Sequence, residues 1–190
     1  MLASSDEKVP SDWSADGRFL SYSMFSMGTQ GDVWVLPLDA KPFPFVQTAL
    51  QERRGVFSPD GRWIAYTTRN IAEDHVYVQD FAGTSKSTGK WQISTTGGNQ
   101  PLWRRDGKEL FYLAPDRKLM AVEIRAGATF EAGAPRPLFQ TRYNRADDAL
   151  LARSYAVSAD GQRFLINSAV DQAALAPLTV WLHWTVQPKR

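Results

Sequence analysis

Residues that could perform catalysis are few and lie far apart in the sequence. The chain has two histidines, His75 and His183, and no cysteine, which excludes disulfides, thiolate chemistry and cysteine-based zinc sites. Neither histidine lies at ligand spacing from a cluster of carboxylates, and the Gly-x-Ser-x-Gly motif of serine hydrolases does not occur. We expect no catalytic residue, no metal ligand and no cofactor. The histidines are interpreted as strand residues, with a metal ligand or a general base as the alternative.

Motifs for phosphate chemistry are also absent. The glycine pair in "TTGGNQ" (95–100) lacks the lysine and the following helix of a phosphate-binding loop. The kinase signatures His-Arg-Asp and Asp-Phe-Gly do not occur, so any kinase activity would reside upstream of this segment.

Arginines and amides are the remaining side chains suited to holding a ligand. Arg53, Arg54, Asn99, Gln100 and Arg153 carry hydrogen-bond donors that match a carboxylate or an acidic peptide. They are widely separated in sequence, so they form one site only if the fold brings them together.

Composition indicates a folded domain with a large core. Hydrophobic residues make up 43% of the 190 residues, and seven of the aromatic residues are tryptophans. The net charge of +2 is too small to indicate nucleic-acid binding. No apolar run has the roughly 20 residues that span a bilayer, and the first residues show no signal peptide, so we expect no membrane insertion in this segment.

One ten-residue phrase occurs four times and reveals the elements that must position these side chains. The copies are "WSADGRFLSY" (13–22), "FSPDGRWIAY" (57–66), "WRRDGKELFY" (103–112) and "VSADGQRFLI" (157–166). They recur every 44 to 54 residues, a period typical of β-propeller blades.

Each copy has the residues of a tight hairpin. In the second copy a proline precedes the aspartate, as suits a tight turn. In every copy the aspartate can bind the local backbone, and the following glycine suits a left-handed conformation. We therefore interpret the aspartates and glycines as structural turn residues, not as catalytic groups. They are Asp16, Gly17, Asp60, Gly61, Asp106, Gly107, Asp160 and Gly161.

The segments around the hairpins predict four strands per blade. The second and third strands are apolar at consecutive positions, as in Leu110–Leu113, which indicates burial on both faces. We predict an all-β fold, a propeller of four four-stranded antiparallel blades. Its approximate boundaries are 1–48, 49–95, 96–141 and 142–190. The last blade lacks its outer strand, and residues 145–154 are compatible with two helical turns.

The repeated phrase resembles the TolB-like, WD-like propeller repeat, with Arg104 in place of the usual serine in the third copy. The ending "YAVSADGQRFLINS…PLTVWLHWTVQPKR" also resembles the C-terminal propeller region of bacterial serine/threonine kinases. These resemblances imply a multi-blade propeller that binds protein or peptide partners as a sensor or scaffold. They also imply a periplasmic or other extracytoplasmic location.

In a propeller, the first strand of each blade is innermost, so its first residues surround the mouth of a central channel. Arg53, Arg54, Asn99, Gln100 and Arg153 occupy these positions, and we call them the rim residues. They are predicted to bind a ligand; the alternative is ordinary solvated loop polarity. Trp13, Phe57 and Trp103 recur at one repeat position. Their recurrence favours packing between blades over a carbohydrate-stacking surface.

The missing outer strand leaves the ring open. We expect the chain to be the C-terminal portion of a larger propeller or to be completed by self-association, for example as a homodimer closing an eight-blade ring. A second hypothesis makes it the accessory propeller of a serine peptidase or other hydrolase whose catalytic domain lies elsewhere.

Overall fold

All regular structure in the described part of the chain is β-strand. A computed structural model describes residues 6–26, 29–71, 73–127, 129–143, 153–168 and 180–181. Its strands form four antiparallel sheets, which confirms the all-β prediction. Within these residues, no helix has the length and apolarity to cross a membrane. Most of the segment predicted to form helical turns (145–154), namely residues 145–152, lies outside the described residues, as does the extreme N-terminus.

The first two sheets, blades 1 and 2, each contain four consecutive strands in meander order. The strands of blade 1 are β1 (Glu7–Trp13), β2 (Phe19–Ser26), β3 (Thr29–Pro37) and β4 (Phe43–Val46). Those of blade 2 are β5 (Gln51–Phe57), β6 (Trp63–Arg69), β7 (Asp74–Asp80) and β8 (Lys90–Gln92).

The last two sheets, blades 3 and 4, depart from four strands. Blade 3 contains β9 (Asn99–Trp103), β10 (Glu109–Leu113), β11 (Lys118–Ala126), β12 (Phe130–Ala132) and β13 (Arg136–Gln140). Strand β11 is long enough to pair with β13 along its first half and with β12 along its second. The prediction of four strands in blade 3 is therefore wrong by one strand. Blade 4 contains β14 (Tyr155–Val157), β15 (Phe164–Ile166) and β16 (Val180–Trp181). The division of the chain into blades at the predicted boundaries stays a prediction.

The hairpin between the first and second strands has the same geometry in every blade. The four glycines after the aspartates have φ between 69° and 73°, a left-handed conformation that costs glycine little. Each glycine N–H donates a 2.9 Å hydrogen bond to the carbonyl oxygen three residues earlier. Each aspartate Oδ1 accepts the backbone N–H two residues later at 3.0 to 3.1 Å.

Hydrogen bonds favour the ionised form of the turn carboxylates Asp16, Asp106 and Asp160. A hydrogen bond from the Ser14 hydroxyl lowers the pKa of Asp16, and one from the Ser158 hydroxyl lowers the pKa of Asp160. In the third turn, Arg104 replaces the serine; its Nε and Nη2 donate to Asp106 over 2.7 and 2.8 Å and lower the pKa of that carboxyl. The aspartates therefore act within the turns themselves.

The hydrophobic core lies between successive blades rather than inside any one sheet. Val33, Val35 and Phe45 of blade 1 form one cluster with residues of blade 2. A second cluster joins blades 2 and 3, and a third joins blades 3 and 4. Both faces of β6 and β10, the second strands of blades 2 and 3, are consequently buried, as every residue of β6 before Arg69 illustrates.

The antiparallel order of the strands places their two kinds of connection on opposite faces of the molecule. One face, which we call the upper face, contains the beginnings of the first strands and the turns between the second and third strands. The Asp-Gly hairpins lie on the opposite, lower face. The rim residues belong to the upper face.

Candidate binding site on the upper face

Four of the five rim residues are buried. Arg53 and Arg54 lie in β5 and are 2% and 4% exposed, while Asn99 and Gln100 begin β9 and are equally enclosed. Arg153, two residues before β14, is exposed. Solvated loop polarity therefore describes Arg153 at most. Whether the set binds a ligand stays a prediction.

Arg53 is part of a buried ion pair within blade 2, and Asn99 of blade 3 donates a hydrogen bond to the carboxylate of that pair. Arg53 Nη2 donates to Asp74 Oδ2 over 2.8 Å, and its Nη1 donates to Gln51 Oε1 over 2.8 Å. The Asn99 side chain donates to the same Asp74 oxygen at 3.4 Å. The positive charge of Arg53 is therefore paired with the carboxylate of Asp74 inside the protein.

Gln100 makes the equivalent link between blades 3 and 4. Its Nε2 donates to Ser154 Oγ over 3.0 Å, and its Oε1 accepts the Ser154 backbone N–H over 2.8 Å. The Tyr155 hydroxyl donates to the Gln100 carbonyl over 2.8 Å. The amide of Gln100 thus joins two adjacent first strands.

Arg54 and Gln100 share an uncommon backbone conformation at the same repeat position. Their φ angles are 60° and 55°, in the left-handed region that L-residues with a Cβ rarely adopt. In blade 2, the strand pairing shifts register between Arg53 and Val56, so the first strand is bulged there. The Arg54 N–H consequently points out of its own sheet and donates to Ser23 Oγ of blade 1 over 3.0 Å.

Arg153 forms a hydrogen bond between blade 4 and blade 1. Its Nη2 donates to the Ser11 carbonyl over 2.8 Å, across 142 residues of sequence. The two arginines Arg54 and Arg153 line a small cavity of about 40 Å³ with the neighbouring residues of blade 1. Those neighbours are Val9, Pro10, Ser11 and Ser23. The cavity has room for a group the size of a water molecule or a carboxylate.

Asp12 is the acidic group beside this cavity. Its Oδ2 accepts the Phe57 N–H over 2.8 Å, which ties blade 1 to blade 2. Burial raises the pKa of Asp12, although hydrogen bonds from the backbone and the charge of Arg153 oppose that shift. The carboxylate of Asp12 therefore forms part of the contact between blades 1 and 2.

A larger concavity lies on the lower face, between blades 2 and 3. It has a volume of about 390 Å³, with the indoles of Trp63 and Trp103 and the side chain of Ile124 on its walls. Charged residues of both signs surround it, among them Asp60, Lys108, Glu123 and Arg125. The sequence did not point to this cleft.

His75 is a strand residue, as interpreted from the sequence, and its side-chain contacts lie near the surface. In β7, His75 Nε2 lies 3.5 Å from Glu73 Oε2, and its Nδ1 lies 3.4 Å from Gln92 Nε2. No group of three or more histidines and carboxylates is close enough to hold a metal ion within the described ranges. His183 lies outside the described residues.

The residue that sequence reasoning missed is Asp74. It is the last residue of the loop segment "RNIAED" (69–74) and the first of β7, on the same face as the rim residues. That placement was the available signal, because a carboxylate at the upper face lies within reach of Arg53.

No protein-family model and no curated protein sequence matches the chain. Solved structures do. TolB from Acinetobacter baumannii aligns over 87% of this chain and 38% of its own, with a TM-score of 0.63 and 18% identity. A putative TolB from Agrobacterium tumefaciens aligns over 73% of this chain and 50% of its own, with a TM-score of 0.56 and 16% identity. The fold is that of a TolB-like β-propeller.

Enzymes also have this architecture. One of two prolyl endopeptidases analysed for inter-domain dynamics aligns over 82% of this chain and 23% of its own, with a TM-score of 0.50 and 18% identity. A periplasmic gluconolactonase from Pseudomonas aeruginosa aligns as well, over 81% of this chain and 45% of its own, with a TM-score of 0.51 and 17% identity. At these identities the likeness concerns the fold alone. The chain spans half or less of the length of the TolB structures that it matches.

Proposed function

We propose that the chain is a non-catalytic propeller module that binds a protein or peptide partner at its upper face. It serves as the sensor or scaffold part of a larger bacterial protein. The observation that carries this proposal is the position of Arg153, an exposed guanidinium beside the buried Arg54 at one small cavity. A cavity with two arginines suits an acidic group of the partner.

The rigidity of the surroundings favours recognition. Hydrogen bonds within the protein hold Arg53 and Gln100, so their side chains fix the positions of the first strands instead of moving with a ligand. The left-handed φ of Arg54 costs about 1–2 kcal/mol, and such strain concentrates at functional sites. Arg153 then becomes the residue that meets the partner, with the other rim residues acting as its support.

The second candidate is an accessory propeller of a serine peptidase. The likeness to a prolyl endopeptidase favours it, since the chain aligns with 23% of the length of that structure. The two candidates differ in what the complete polypeptide contains. An α/β-hydrolase domain in the same polypeptide favours the peptidase, and a kinase domain or a membrane anchor favours the sensor.

A periplasmic or other extracytoplasmic location accompanies the proposal. Its support is the likeness to TolB structures and to a periplasmic gluconolactonase. A fusion of the complete polypeptide to alkaline phosphatase, which is active only outside the cytoplasm, tests the location. An inactive, stably expressed fusion would argue against it.

Binding of an acidic peptide tests the function directly. Fluorescein-labelled hexaglutamate is titrated with the protein and followed by fluorescence anisotropy, with hexalysine as the charge-reversed probe. We expect hexaglutamate to bind and Arg153→Ala to weaken it about tenfold, the loss expected for one charge-assisted contact. Arg18→Ala is the matched control, because Arg18 is an exposed arginine on the lower face. Equal weakening by both variants, or no binding of hexaglutamate, would refute the upper-face site.

A further inference from the structure

Residues of the first two strands alternate between two neighbouring blades. In blade 2, Phe57 pairs with Ile64 and both belong to the cluster shared with blade 1. The adjacent pair, Val56 and Ala65, belongs to the cluster shared with blade 3. The first pair therefore faces the preceding blade, and the second pair faces the following one.

The same rule holds at the next two junctions. In blade 3, Trp103 pairs with Leu110, and both pack against blade 2. Phe111, one residue further along, packs against blade 4. In blade 4, Phe164 faces back to blade 3, and its ring lies 5.1 Å from that of Phe111.

Applied to blade 1, the rule identifies an exposed face that is equivalent to the faces of blades 2, 3 and 4 that pack against a preceding blade. Trp13 pairs with Leu20 at the positions of Phe57 and Ile64, yet Trp13 is 55% exposed. Its counterpart Trp103 is 9% exposed and donates its Nε1–H to the Val56 carbonyl of the preceding blade over 3.2 Å. Trp13 has the side chain for this junction in a position where the structure leaves it exposed.

Applied to blade 4, the rule identifies the complementary face. Ala156 pairs with Leu165 at the positions of Val56 and Ala65, which face the following blade. Both are exposed, and Leu165 is 44% accessible. The Ala156 carbonyl occupies the repeat position of the Val56 carbonyl that accepts the Trp103 indole.

We propose that the front of blade 1 binds the back of blade 4 of a second copy of this chain. The junction repeats the contact between blades 2 and 3, with Trp13 against Ala156 and Leu165 and the Trp13 indole donating to the Ala156 carbonyl. It joins two different surfaces, so it is heterologous, and its ends pair either in a closed dimer or in a longer series. A second copy fits these faces because they carry the two halves of one repeated contact.

Light scattering after size-exclusion chromatography measures the association of the 190-residue chain over a concentration series. We expect a mass of at least twice the 21.3 kDa of one chain. Trp13→Arg and Leu165→Glu each weaken the association by about thirty-fold or more, the loss typical of a buried interface anchor. Ile71→Arg, which alters a fully exposed isoleucine in the turn between β6 and β7 of blade 2, leaves the mass unchanged.

An equimolar mixture of the two variants decides the geometry. The Trp13→Arg copy retains Leu165 and the Leu165→Glu copy retains Trp13, so one intact junction forms and association returns. Circular dichroism first establishes that each variant is folded. A chain that stays monomeric at all concentrations, or a mixture that fails to recover association, overturns the proposal. So does an association that only the Trp13 variant abolishes, since that pattern indicates a front-to-front contact.

Discussion

Substitution of Asp74 separates a structural role of Arg53 from a ligand-binding role. The Arg53 side chain is 3% exposed and that of Asp74 is 17% exposed, so Asp74→Ala leaves a buried guanidinium without its carboxylate. Removing one partner of a buried pair costs about 3–5 kcal/mol. That is a large share of the roughly 5–15 kcal/mol that stabilises a typical domain.

Substitution of the other partner, Arg53, should lower the free energy of unfolding less. After Arg53→Met, Asp74 keeps its hydrogen bond from Asn99 and lies 3.9 Å from the Arg69 guanidinium. We therefore expect Asp74→Ala to lower the free energy of unfolding more than Arg53→Met does. The double variant should be more stable than the sum of the single losses implies, with a coupling of about 0.5–3 kcal/mol.

Urea denaturation followed by tryptophan fluorescence measures these free energies. The control is Arg125→Ala, because Arg125 forms an exposed ion pair with Glu123 over 3.1 Å, and such pairs contribute about 0–1 kcal/mol. Losses for Asp74→Ala no larger than the control would refute the buried pair. In that case Arg53 would be free to bind a ligand at the rim.

Two further predictions concern the turns and a buried acid. Gly61→Ala should lower the free energy of unfolding by about 1 kcal/mol through its positive φ alone, since a Cβ there meets nothing within 4 Å. Gly161→Ala should lower it more, because a Cβ there would lie 2.5 Å from Arg104 Cδ. Equal losses for the two variants in urea denaturation would contradict this. Burial raises the pKa of Glu52 above its ordinary 4.5, opposed by its Thr48 hydrogen bonds and by Lys90. The wild type should therefore lose stability relative to Glu52→Gln as the pH rises from 4.5 through the pKa of Glu52 in the folded protein. A difference between their free energies of unfolding that does not change with pH would contradict this.

The blade pattern could be predicted because its determinants are local. Asp60 and Gly61 specify a turn within a few residues, and the repetition of that turn sets the period. Strand β12 was missed because its burial depends on a distant contact. Phe130 lies in a stretch rich in alanine and glycine, and it becomes buried by packing 4.9 Å from Trp63 of the preceding blade.

The state of the rim residues could not be predicted from their positions alone. Their place at the start of the first strands was readable, but their burial depends on partners in other strands. Asp74 pairs with Arg53 across 21 residues, and Ser154 pairs with Gln100 across 54. The exposure of Trp13 likewise depends on which blade stands in front of it, a property that the repeat unit itself does not contain.

Contacts between rings of successive blades test the central claim, that four sheets stand side by side around one axis. A nuclear Overhauser spectrum of the aromatic protons should contain cross-peaks between Phe19 and Phe81, Trp63 and Phe130, and Phe111 and Phe164. Their ring centroids lie 4.9 to 5.1 Å apart. Cross-peaks within each sheet without these three contacts between blades would contradict the propeller.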